Sequence, residues 1–189
     1  MMTREDAYEL LTKYNKNEAL ITHALAVEAT MRYFARKNNE DEEYWGSVGL
    51  IHDIDYELYP DEHCHKSKEI LEKEGVDEDI IHAVISHGWN ICMDVEPIRK
   101  MEKVLYTIDE LTGLITAGVL MRPNKSILDL EVKSVKKKFK SKGFAAGVNR
   151  EVILAGCEMI DMDLDTVILW TIEGMQEVAA ELGLAGSPT

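Results

Sequence analysis

Between Ile98 and Val119 apolar side chains recur at spacings of three and four: Ile98, Met101, Val104, Leu105, Ile108, Leu111, Ile115 and Val119. That period draws a stripe along one side of an α-helix and suits no strand, so residues 98–120 must lay this face against other elements. Most of the chain carries the same period. Residues 5–14 form a short opening helix, and Leu20, Ile21, Leu25, Val27, Met31 and Phe34 stripe a helix over 18–37. Residues 43–52 read as a buried helix. Pro60, followed by Asp61 and Glu62, starts a helix predicted to run through His63 to Lys73 and stop at Gly75. Asp77 caps a helix over 78–86, and shorter helices follow near 131–140 and 149–160. Asp163 caps a last helix to about 182, before a frayed tail, LGLAGSPT. No β alternation, internal repeat or linker interrupts this order. The expectation is an all-α single domain over residues 1–189, with a motif-bearing core over 18–115 and a helical extension over 122–183.

One acid breaks the apolar character of the longest stripe. Asp109 lies beside Ile108, and a carboxylate there is costly to bury unless it is paired or metal-bound. Upstream, His52-Asp53 closes the 43–52 segment, His23 sits within the 18–37 stripe, and His63 and His87 follow. Neutral imidazole and carboxylate together suit Fe, Mn, Zn, Co or Ni, and reach toward Mg, without the thiolates of a structural zinc site. Helices carrying His23, His52-Asp53 and Asp109 can converge in a bundle core, where such sites are commonly built. His65 competes with His63 for one place. His63 is preferred as the residue starting the predicted helix, and His65 and His82 are expected to face solvent.

The ordered series H…HD…H…H…D, over residues 18–115, resembles the HD superfamily of metal-dependent phosphohydrolases, and within it the members with two additional histidines. The resemblance implies a compact helical bundle in which His23, His52, Asp53 and Asp109 hold one divalent transition metal. It implies His63 and His87 as ligands of a second, with Asp53 bridging. The expected reaction is hydrolysis of a phosphoester or phosphoanhydride in a small, nucleotide-like substrate, with Asp53 central to catalysis and Asp55 a candidate acid or base. Many members follow the HD pair with a small residue and a lysine; here His52-Asp53 is followed by Ile54, Asp55, Tyr56 and Glu57. The Gly-Tyr-Pro signature of the cyclic-dinucleotide branch is also missing. Two alternatives share the ligand set: a diiron oxygenase, and a ligand-binding protein without turnover.

Charge bears on the partners. The net charge of −14 opposes general affinity for nucleic acid or acidic membranes, yet residues 122–150 hold nine basic side chains against two acidic ones. Lys136, Lys137 and Lys138 are therefore candidate contacts for a phosphorylated substrate, and residues 143–149 (GFAAGVN) a candidate lid or linker. Cys64, Cys92 and Cys157 are widely spaced and form no C-x-x-C, a pattern suited to a reducing compartment. The first residues show no apolar run of signal-peptide length, so a cytoplasmic location is expected. The apolar C-terminal helix suits a homodimer as readily as a core, which leaves oligomeric state open. Walker, G-x-S-x-G and G-x-G-x-x-G motifs are absent.

Overall fold

A computed structural model describes residues 2–186. Among these, nine α-helices and one 3-10 turn account for the regular structure: α1 (Arg4–Tyr14), α2 (Glu18–Lys37), α3 (Glu42–Ile51), the turn Pro60–Glu62, α4 (His65–Lys73), α5 (Glu78–Ser86), α6 (Lys100–Leu120), α7 (Val132–Lys140), α8 (Arg150–Met159) and α9 (Leu164–Glu177). The only β pairings among the described residues are isolated bridges, Trp89 with Met93 and Ser126 with Ala185. The fold is all-α. No helix among the described residues is long and apolar enough to cross a membrane.

The stripes meet where their period places them. α2 packs on α3, α6 and α9, and α6 also takes α7 and α8 on its flanks. Val27, Met31 and Phe34 of α2, Leu50 and Ile51 of α3, and Leu105, Ile108, Leu111 and Ile115 of α6 are buried in one cluster with Ile168, Ile172 and Met175 of α9. Each such side chain contributes about 1.5–3 kcal/mol of transfer free energy. Buried acids tie the helix ends together. Glu28 accepts from Arg4 and Arg32, joining α1 to α2. Glu102 accepts the backbone amides of Ile98 and Arg99 at the start of α6 and faces His82 Nδ1 at 3.0 Å. His82 is therefore half-buried and paired, not a solvent-facing spare as its sequence context suggested.

Two boundaries differ from expectation. The helix from Pro60 to Lys73 is broken at His63 and Cys64, where Cys64 adopts φ +65°, a left-handed conformation few L-residues take. α9 ends at Glu177, and the segment after it turns back instead of fraying: Leu182 and Leu184 are buried, and Leu184 O accepts Ile127 N–H at 2.8 Å. Residues 187–189 of the expected tail lie outside the described residues.

The junction of α6 with α8 depends on a close approach at Gly156, where a Cβ would stand 2.8 Å from Thr107 Cα. Gly118, by contrast, has open space around a Cβ. Gly156→Ala should therefore destabilise the protein by about 1–3 kcal/mol. Gly118→Ala should stabilise it by about 0.5–1 kcal/mol through helix propensity. Urea unfolding of both variants checks the opposite signs, and equal shifts would show that α8 does not press on α6.

Candidate metal centre

The His52-Asp53 pair leaves α3 in a turn that three contacts hold in place. Asn15 Nδ2 donates to Ile54 O at 3.0 Å, and Glu57 Oε2 accepts the amides of Lys16 and Asn17 at 2.6 and 2.8 Å. The turn is thus hooked onto the α1–α2 junction. His23 enters from α2, Asp109 from α6, and His87 from the C-terminal cap of α5. The structure brings all six expected ligands, His23, His52, Asp53, His63, His87 and Asp109, to one place.

Their donor atoms form two groups. In the first, His23 Nε2 lies 2.9 Å from Asp109 Oδ1 and 3.2 Å from His52 Nε2. Asp53 Oδ2 lies 3.4 Å from His52 Nε2 and 3.7 Å from His23 Nε2, and Asp109 Oδ1 lies 3.3 Å from His52 Nε2. In the second, His63 Nε2 and His87 Nε2 are 3.1 Å apart, and Asp53 Oδ1 is 3.4 Å from each. One carboxylate therefore offers one oxygen to each group. An ion with bonds of about 2.0–2.2 Å holds its donors about 3–3.6 Å apart, so both groups have the dimensions of a coordination shell.

Tautomers sharpen the fit. His52 Nδ1 faces Gly49 O at 2.8 Å, His87 Nδ1 faces Val84 O, and His63 Nδ1 faces Asp55 Oδ1 at 2.8 Å. Each Nδ1 must carry hydrogen to donate to those oxygens, which leaves each Nε2 lone pair aimed into the centre. Two lone pairs 3.1 Å apart repel unless a proton or a metal ion lies between them.

Asp55 is fully buried, and its other oxygen accepts Ser67 N–H at 2.8 Å. It caps the third residue of α4 from outside the helix, where Cys64 makes no side-chain cap. This bond, with the one to His63, explains the break before α4: the chain must leave helical geometry for the imidazole to turn inward. Asp55 orients His63 from behind. As an acid or base acting on substrate it is misplaced, because His63 stands between it and the cleft.

Charge within the centre is self-compensating. Burial works to depress the His52 imidazole, but Asp53 and Asp109 outweigh it and hold it well above the ordinary histidine range. Burial also opposes ionisation of Asp53, yet His52 and His87 keep it well below the carboxylate range. Asp109 is lowered likewise, burial being outweighed by His23 and His52. For His63 burial again opposes the charge, and Asp55 raises it.

The centre opens into a cleft of about 320 Å³ whose walls add Tyr56, Gly88, Ile91, Cys92, Glu110, Gly113, Gly147 and Val148. Tyr56 stands edge-on to His63, and Glu110 is raised above the ordinary carboxyl range by burial and then by Asp109. A larger cleft of about 770 Å³ between α1 and the α4–α5 turn gathers no group of metal-ligating side chains among the described residues. The loop over 143–149 does reach the site, and it is pinned there. Asn149 N–H donates to Glu110 Oε2 at 3.1 Å, while the Arg150 guanidinium donates to six carbonyls between Lys138 and Val148.

Lys136, Lys137 and Lys138 are not brought to the cleft. Lys136 pairs with Asp165 at 2.6 Å, Lys138 lies over the Phe144 ring, and Lys137 borders a separate hollow beside α6. No lysine or arginine among the described residues lines the metal cleft. His65 is exposed, as expected, and Trp89 packs against Tyr106. Glu110 and Gly113 went unread in the sequence; Gly113 stands four positions beyond Asp109, where a helix repeats its face, whereas Glu110, next to Asp109, carries no such signal.

The sequence model of the family described as HD domain matches residues 20–114, about half of the chain. No curated protein and no solved structure matches it.

The charge pattern sets a pH dependence for metal-free protein. The raised His52 contributes stability fully present below its ordinary pKa and lost as pH rises through the folded value. The lowered Asp53 and Asp109 contribute stability present above the ordinary carboxylate range and lost as pH falls through theirs. Chelator-treated protein should thus be most stable between about pH 4 and 6.5 and weaken on the alkaline side. Metal-loaded protein should keep its stability there, because the ion replaces the proton. Melting curves against pH with and without chelator test this, and superimposable profiles would refute it.

Proposed function

This chain belongs to the HD domain family, and from that premise we propose that it is a metal-dependent phosphohydrolase acting on a small, nucleotide-like phosphoester or phosphoanhydride. The observation that carries this reading is the division of Asp53, with one oxygen toward His23 and His52 and the other toward His63 and His87. His23, His52, Asp53 and Asp109 would hold one divalent transition metal, and Asp53, His63 and His87 a second. Bound there, such ions acidify water to a nucleophile at neutral pH and neutralise charge on phosphoryl oxygens.

The chain's own groups do the rest. The buried Nδ1–H bonds of His52, His63 and His87 keep three imidazoles facing inward without a rotamer search. The second group has three nitrogen and oxygen donors against four in the first, with the Cys64 sulfur beside it, so it is the side that a substrate oxygen would complete. Glu110, at the wall beside Asp109, is the group able to hold a proton for the leaving oxygen. Tyr56 and Ile91, both exposed at the mouth, offer apolar surface to the remainder of a small substrate. The wall carries no lysine or arginine, so the phosphate has the ions as its positive partner. Substrate binding itself therefore requires metal.

The same wall would also accept an uncharged substrate, and that observation keeps the second reading, oxygen-dependent oxidation at a diiron centre. Phosphate release by anaerobic protein supports hydrolysis; iron-dependent oxygen consumption with no phosphate release supports the other. For the hydrolase, Asp53→Ala should lose both metal and turnover. Glu110→Gln should retain metal content while kcat falls roughly a hundredfold. Metal analysis alongside turnover checks both, and an active Asp53→Ala protein would end this account.

A further inference from the structure

Cys64 and Cys92 lie far apart in sequence, yet their sulfurs are 3.5 Å apart, with the Cys92 thiol donating to Cys64. Cys64 is buried, and Cys92 is half-buried on the wall of the metal cleft. The pair is seated against the second histidine group. Cys64 follows His63 in the chain, and its sulfur is 4.0 Å from His87 Nε2. Gly88, which follows His87, makes the arrangement sterically possible, since a Cβ there would stand 2.6 Å from both sulfurs. The third thiol, Cys157, is buried on α8, away from this cleft.

We propose that Cys64 and Cys92 form an oxidisable dithiol, closed to a disulfide by peroxides that enter through the metal cleft, and that closure weakens the second metal position. Cys92 is the sulfur on the cleft wall and reacts first. Its thiolate attacks one peroxide oxygen, the O–O bond breaks, and hydroxide or alkoxide leaves, giving a sulfenic acid at Cys92. Cys64 sulfur then attacks Cys92 sulfur, the S–O bond breaks, and water departs with the Cys64 proton. In total, two thiols lose two electrons and two protons, and one hydroperoxide is reduced to water and a second water or an alcohol. A small dithiol reverses the change by exchange. Disulfides of this transient, sensing kind occur within reducing compartments.

Closure draws the sulfurs together from 3.5 Å to about 2.05 Å. Whatever part of that movement Cys64 takes is passed to its left-handed backbone, which sits directly after His63. A shift of Cys64 displaces His63 from its present spacing of 3.1 Å to His87 and 3.4 Å to Asp53. The crosslink does not depend on the metal reading; its effect on the second position does.

The experiment is a titration of the reduced, metal-loaded full chain with hydrogen peroxide, followed by intact mass, peptide mapping and metal content on one sample. The expected product has lost two hydrogens, joins the Cys64 and Cys92 peptides, leaves Cys157 alkylatable, and holds about half the metal. Gly88→Ala keeps both thiols and an allowed backbone but wedges the sulfurs apart, so its crosslinking should slow roughly tenfold or more. Cys92→Ser should not crosslink. Oxygen added at Cys92 without a crosslink, or Gly88→Ala crosslinking at the parent rate, overturns the dithiol. A crosslinked protein with undiminished metal overturns the coupling and leaves the hydrolase reading standing.

Discussion

Imidazole nitrogens that face one another across 3.1–3.2 Å are the constraint on which this structure turns. Such an arrangement repels itself unless something positive lies between, and the protein spends four separate elements on holding it. α2 supplies His23, the end of α3 supplies His52, the break before α4 supplies His63, and the end of α5 supplies His87. Backbone carbonyls fix two of the rings by accepting Nδ1–H from His52 and His87, and the Asp55 carboxylate fixes a third. None of these rings can rotate away without giving up a buried hydrogen bond, worth about 0.5–1.5 kcal/mol, or more for the bond to Asp55. The centre is therefore organised before any ion arrives.

Asp53 makes the two groups into one centre. Each of its oxygens is 3.4 Å from at least one Nε2 of a different group, so displacing this side chain disturbs both sets of donors together. Asp53 can do this because it sits in the first residues after α3, where the chain is free to turn but is held by Asn15 and Glu57 from the α1–α2 junction. The end of α1 thus has a part in positioning the centre although none of its side chains lines the cleft.

Much of this was legible in the sequence. The stripes of α2 and α6 declare their own helices and carry His23 and Asp109, while the apolar run of α3 ends in His52-Asp53. What could not be read depends on contacts between distant residues. The break at Cys64 follows from Asp55 reaching forward to Ser67 N–H and His63, and Pro60 with two acids behind it mimics an uninterrupted start. His82 looked spare because its partner, Glu102, lies a turn and a helix away. The sulfurs of Cys64 and Cys92 meet only because α4 and the turn after α5 fold against the same histidines; their spacing in sequence carries no such message. The tail after α9 reads as weak because its small residues hide the burial of Leu182 and Leu184.

The lysines of α7 show why local charge misled. A run of cations suggests an anion nearby, but Lys136 spends its charge on Asp165, and Arg150 spends its donors on the carbonyls of the loop that closes the cleft. The cleft itself is walled by Asp53, Asp109 and Glu110, which without ions would repel a phosphate. Two divalent ions held there, as proposed, would bring more positive charge than Asp53 and Asp109 bring negative, and would turn the same cavity attractive. A site working in that way would need no basic rim, and would gain from lacking one: anions would be admitted only with the ions in place. Seen so, the basic segment contributes by holding the 141–149 loop against Glu110, through Arg150, and not by touching what the cleft receives.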